Sequence, residues 1–136
     1  MDSLTLPIIL SGPIVRRAET TQITIWIATS KSYRIHAKMF RISSTKDTNS
    51  FTNHEFHTTC KTDTIQMGKQ LYVHLINLTP FSGKFPTDTL LGYNIHFQRG
   101  SKLQDLNSLG LLSKDNPNSI VYGNLDYPTI YLNSSP

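Results

Sequence analysis

The segment Gln22-Ile23-Thr24-Ile25-Trp26-Ile27-Ala28 decides how the rest of the chain is read. Ile23, Ile25 and Ile27 alternate with Thr24, Trp26 and Ala28, the two-residue period of an extended strand whose successive side chains point to opposite faces. Both sets are largely apolar, and Ile, Thr and Trp suit a pleated, buried ladder. The pattern predicts a central strand of a two-sheet core, with Trp26 filling the space between the sheets and taking no part in chemistry.

On the N-terminal side, Pro7 to Leu10 is a short extended entry broken by the turn former Gly12-Pro13, after which Ile14 to Arg17 resumes. On the C-terminal side, Ser30-Lys31-Ser32 is a turn, and Tyr33 to Ile42 follows with the cleanest alternation in the chain. Tyr33, Ile35, Ala37 and Met39 point one way, and Arg34, His36, Lys38 and Phe40 the other, which describes a half-buried strand. Gln70 to Leu78 and Thr89 to Gln98 are two further strands, the second with Leu91, Tyr93, Ile95 and Phe97 on one face. Ser43 to Gln66 is polar and weakly patterned. It fits either a long loop or one or two short edge strands, with Glu55 to Thr59 the best candidate. Pro80 to Asp88 is a loop bearing Pro and Gly.

Ser101-Lys102-Leu103-Gln104 matches a helix-capping box, in which Ser and Gln side chains satisfy the first free amides, and Gly110 can close the C-terminus. One short helix is therefore expected near residues 102–109. Asn116-Pro117 then turns the chain toward short strands at Ile120 to Tyr122 and Thr129 to Leu132. About seven strands separated by turn signals predict an all-β, antiparallel two-sheet sandwich of the fibronectin-III or immunoglobulin kind. Residues 1–132 are read as one domain, and 133–136 as the start of a linker or tail.

The totals agree with that class. The chain has 136 residues, 38% hydrophobic and only 16% charged. Its net charge of +4 and pI near 9.3 reflect scarce acids as much as abundant bases. The basic residues are scattered, with no run of like charges to mark an anionic partner. Cys60 is the single cysteine, so no intrachain disulfide can form. With no basic-then-apolar leader and no apolar run of the ~18–20 residues a span requires, a cytoplasmic chain without a membrane partner is expected.

Few constellations carry chemistry. His54, His57 and Cys60, with Asp63 beyond, are the right residue types for zinc at recurring spacings of three. On a strand, residues three apart point to opposite faces, so a shared metal would need an irregular loop, and no metal site is expected. No Gly-x-Ser-x-Gly elbow, paired carboxylates or Gly-rich phosphate loop is present, so no catalytic residue is assigned. Arg34, Lys38 and Phe40 share a strand face with His36, the kind of basic, aromatic-bearing surface on which OB-type folds bind single strands. A solvated strand face looks the same and only one strand shows it, so nucleic acid is not the expected partner. His74 and His96 read as polar-face or hydrogen-bonded core residues.

A series of short motifs resembles the N-terminal domain of PhoD-like (alkaline phosphatase D-like) metallophosphoesterases. The series opens with Leu6-Pro7-Ile8-Ile9-Leu10-Ser11-Gly12-Pro13-Ile14-Val15-Arg16-Arg17, then Ile23 to Ala28 with its Trp. Gly68 to Val73, Leu91 to Phe97, Leu109 to Leu112 and Tyr127 to Leu132 follow in the family's order, so the resemblance spans nearly the whole chain. It implies a fibronectin-III-like sandwich that packs against a metal-dependent catalytic domain. The family's catalytic domain follows this one, and its metal ligands lie there, so none carries over to a residue here. The usual strand-corner tyrosine is replaced by Leu91, with Tyr93 two residues later. The expectation is a non-catalytic accessory domain without a cofactor of its own, whose partner is the phosphoesterase catalytic domain and which shows an apolar strip. The alternatives are a stand-alone protein- or carbohydrate-binding module and single-stranded nucleic-acid binding on the Arg34/Lys38/Phe40 face.

Overall fold

A computed structural model describes residues 6–44, 51–113, 115–121 and 125–134. Its strands are β1 (Ile9–Ala18), β2 (Ile23–Thr29), β3 (Arg34–Ser44), β4 (Phe51–Phe56), β5 (Thr58–Gly68), β6 (Leu71–Pro80), β7 (Leu90–Arg99), β8 (Lys102–Asp105) and β9 (Thr129–Tyr131). They form two antiparallel sheets, one ordered β1-β2-β6-β5 and the other β4-β3-β7-β8, with β9 also on β7. The interleaving is that of an immunoglobulin-type sandwich with one strand added beside the third.

Register decides which residues meet. Ile23, Ile25 and Ile27 of β2 stand opposite Leu78, Ile76 and His74 of β6, and all six are buried. The other sheet supplies Ile35, Ala37 and Met39 from β3 and Leu91, Tyr93, Ile95 and Phe97 from β7, as their alternation requires. Each large aliphatic side chain withdrawn from water here contributes about 1.5–3 kcal/mol. Trp26 is not among them. It pairs with Ile14 and Leu75, both partly exposed, on the outer face of the four-stranded sheet. The strand period forbids the isoleucines and the indole from sharing a face, and the core takes the isoleucines because Ile76 and Leu78 flank them there.

Gly12-Pro13 does not break the first strand. β1 runs through it with register shifts on both sides of Ser11, and Gly12 sits at a φ of +94°. Between Ser43 and Gln66 the described residues are strand rather than loop, with His57 alone separating β4 from β5, and residues 45–50 lie outside the described residues. The expected helix near 102–109 is absent. Lys102 to Asp105 instead pairs with β7 from His96 to Arg99, because that edge of β7 offers free backbone partners. The capping chemistry reappears at Asp105. Its carboxylate accepts the Ser108 amide at 2.8 Å, while the Ser108 hydroxyl accepts the Asp105 amide at 2.8 Å. The Leu111 amide then reaches Leu106 O, and that of Gly110 reaches Asn107 O, so Gly110 does close the turn. Ile120 and Val121 are not in a strand, and Tyr122 lies outside the described residues.

Two segments plug the gaps between sheets. Leu106 is fully buried, and Leu109, Leu111, Leu112 and Ile120 pack behind it. Phe85, from the Pro80 to Asp88 loop, is buried against Phe56 with ring centroids 5.5 Å apart, and its amide bonds to Thr20 O.

One imidazole lies within the core. His74 is fully buried between Thr29 and Thr64, each hydroxyl 2.8 Å from a ring nitrogen. The Thr29 hydroxyl donates to Lys31 O, so it accepts from His74 Nε2–H. That leaves Nδ1 to accept from Thr64.

Two measurements follow from this packing. A Cβ on Gly12 would lie 2.9 Å from the backbone oxygen of Trp26. Gly12→Ala is expected to lower stability by about 2–4 kcal/mol in urea unfolding. Gly83→Ala, where no atom lies within 4 Å, is expected to cost only about 1–2 kcal/mol. Burial pushes the His74 pKa down to about 4. An unfolded histidine titrates near ~6.5, so the unfolded chain binds this proton more tightly. Stability should hold above that pH and fall by about 3 kcal/mol as pH drops from there toward 4. The steep part of that profile should vanish in His74→Gln.

Candidate functional site: the outer face of the four-stranded sheet

Four strands turn their second set of side chains away from the core, and the register lays them out in rows, with Thr24 and Ala28 buried among their neighbours. Ile14, Trp26, Leu75 and Asp63 form one row across β1, β2, β6 and β5, and Ser11, Ala28, Val73 and Ile65 form the next. Leu71 and the Met67 beside the β5 bulge continue the surface at one end. Ile65 and Met67 are 58% and 63% exposed, and Ile14, Leu71 and Leu75 are also open to solvent. A polar border closes the other end, where Gln22 and Thr24 both donate to Asn77 Oδ1, at 2.9 and 2.8 Å. The result is an apolar band that runs obliquely from Ile14 through Trp26, Leu75 and Val73 to Ile65, with Asp63 and Ser11 at its margins. Scattered exposed apolar residues are ordinary on a protein surface; a contiguous band with a polar rim marks an interaction surface.

The clefts open elsewhere on the molecule. One of about 250 Å³ is lined by Lys31, Tyr33, Arg99 and Lys102. Another of about 300 Å³ is lined by Asn94, Asp105, Asp126 and Tyr127. Neither is a groove walled by aromatic rings. The Pro80 to Asp88 loop is held down by Phe85.

Of the metal-type residues, His57 and Cys60 line one small cleft together with Glu55, while His54 and Asp63 lie outside it. His54 lies opposite Arg41 of β3, on the side of β4 whose Phe56 packs against the core, and is itself exposed. His57 projects into solvent near Glu55, at 3.6 Å. Cys60 packs against the core from the inner face of β5, and Asp63 points to the outer face of that sheet, whereas His54 belongs to the other sheet. Among the described residues, no three His, Cys, Asp or Glu side chains form a metal-holding group.

Arg34, His36, Lys38 and Phe40 do share the outer face of the second sheet. Phe40, however, is stacked on Tyr127 with centroids 4.5 Å apart and planes 8° apart, which occupies the ring face a base would need. Lys38 lies 3.9 Å from Glu55. His36 stacks on its cross-strand partner His96 at 5.1 Å. Burial lowers both imidazole pKa values, and Lys38 lowers each further. His36 adds to the effect on His96, and Asp105 opposes it. The pair is therefore a neutral stack near pH 7.

The sequence reading expects an apolar strip but puts Trp26 in the core, and so does not locate the strip on this face. The available signal was that β2 and β6 are apolar on both faces, which an outer strand face in water does not require. Compared with protein-family models, curated proteins and solved structures, the chain matches none of them.

Because Ile65 and Met67 are exposed in the folded chain, the double variant Ile65→Thr/Met67→Gln should keep its thermal midpoint within a few degrees. Its binding of a hydrophobic dye such as ANS should fall clearly below that of the parent chain.

Proposed function

We propose that this chain is a non-catalytic accessory β-sandwich that docks, through the apolar outer face of β1, β2, β6 and β5, onto the catalytic unit of a PhoD-like metal-dependent phosphoesterase. The observation that carries the reading is the band itself. Ile14, Trp26, Leu75, Val73, Ile65 and Met67 cover one broad sheet face rather than lining a cleft, a geometry suited to a partner surface and not to a small ligand. The ordered motifs from Leu6 to Leu132 supply the identity of the partner. Under this reading the metal ions and the reaction belong to the catalytic unit, while this domain contributes buried area and orientation. The reading is of a cytoplasmic protein, in which the lone Cys60 stays reduced.

Trp26 is the only tryptophan and sits at the centre of the proposed contact, so its emission reports docking directly. Titration with a metal-loaded PhoD-like catalytic unit should shift the emission to the blue and protect it from acrylamide quenching. Leu75→Asp, which leaves a charge in the band, should abolish both effects. Emission unmoved at saturating partner would sink the proposal. So would hydrolysis of bis(p-nitrophenyl) phosphate by this chain alone with added manganese or calcium.

A further inference from the structure

The two edges of the four-stranded sheet are built differently. β1 carries Pro13 and three register shifts, features that spoil a template for another strand. β5 is eleven residues long and contains no proline. It pairs with β6 in unbroken register from Thr58 to Gln66. Among the described residues no strand pairs with its far side, whose backbone groups are the donors and acceptors of a sheet edge.

The charges on that edge are self-complementary. Lys61 and Asp63 lie opposite Asn77 and Leu75 of β6, so both point to the outer face. Neither has a salt-bridge partner among the described residues. We propose that two copies of this chain pair through their β5 edges, antiparallel about a two-fold axis at Thr62, to join their four-stranded sheets into one continuous sheet. In that register Lys61 of each copy stands directly opposite Asp63 of the other, at the ~4.5–5.5 Å Cβ separation of cross-strand neighbours. Thr59 then faces Ile65 of the second copy.

The same charges exclude the neighbouring registers. A slip by one residue would turn one copy's outer face inward. A slip by two sets Lys61 against Lys61 or Asp63 against Asp63, a like-charge pair that opposes association. A lone edge lysine repels its own copy; the aspartate two residues on converts that repulsion into attraction in one alignment only. The closed two-fold contact stops at a dimer because the β1 edge offers no equivalent strand.

Sedimentation velocity on the isolated chain, from micromolar to millimolar, is the test. A monomer–dimer equilibrium is expected that weakens as salt rises. Lys61→Asp and Asp63→Lys should each raise the dimer dissociation constant by about tenfold or more, by placing two like-charge pairs at the contact. The double variant Lys61→Asp/Asp63→Lys restores opposite charges and should restore the dimer. A monomer throughout the range overturns the proposal, as does a double variant no better than the singles. A dimer lost in Leu75→Asp but kept in both charge reversals overturns it as well, and puts the contact on the apolar band. None of these outcomes bears on docking to a phosphoesterase, which the Trp26 titration tests separately.

Discussion

β2 and β6 lie side by side in the middle of the four-stranded sheet, and their unbroken register from Ile23↔Leu78 to Thr29↔Tyr72 is the interaction on which the rest depends. It sets Ile25 against Ile76 on the inner face and Trp26 against Leu75 on the outer one. A slip of a single residue would exchange the two faces entirely. The fully buried isoleucines then have somewhere to go, because β3 and β7 present a matching apolar face across the sandwich. His74 is placed by the same register, opposite Ile27 and beside Thr64, where its two ring nitrogens meet two hydroxyls. A buried imidazole with both nitrogens satisfied costs little in the neutral form and much in the charged one.

Because β2 and β6 carry apolar residues on both faces, satisfying the core leaves a second apolar surface outside. That surplus links the fold to the proposed function. The second sheet shows the contrast: its outer face carries Arg34, His36 and Lys38, and where it turns apolar, Tyr127 covers Phe40 from the same chain. On the four-stranded sheet, Leu75 stays open to solvent and no aromatic ring among the described residues stacks on Trp26. Its polar rim at Gln22, Thr24 and Asn77 confines the apolar area to one region.

What the sequence revealed depended on how unequal the two faces of each strand are. Tyr33 to Ile42 and Thr89 to Gln98 were legible residue by residue, since one face is apolar and the other is not. β4 and β5 were hardly legible: as edge strands with much exposed surface they need no alternation, and Thr, Ser and Asn leave no trace of period. Trp26 could not be oriented, because an indole opposite three isoleucines suits either face until β6 is in place. The helix near 102–109 was misplaced for a local reason. Ser101 and Gln104 form a plausible cap, but the free edge of β7 competes for the same backbone, and capping shifts to Asp105 and Ser108. The apolar band of the candidate site needed the register, which pairs residues some fifty positions apart and is not encoded by any local pattern.

That strand order has a consequence during synthesis. β2 has only β1 beside it until β6 emerges from the ribosome, and β3 cannot meet β7 until Arg99 has been made. Through that interval the β1–β2 hairpin carries Ile23, Ile25, Ile27 and Trp26 with neither face covered. The interruptions in β1 at Ser11 to Ile14 bend the outer rim of the hairpin at the stage when it has no other protection. A feature that looks like an imperfection in the finished sheet thus guards one edge of the hairpin, while the regular edge of β2 stays open until β6 arrives.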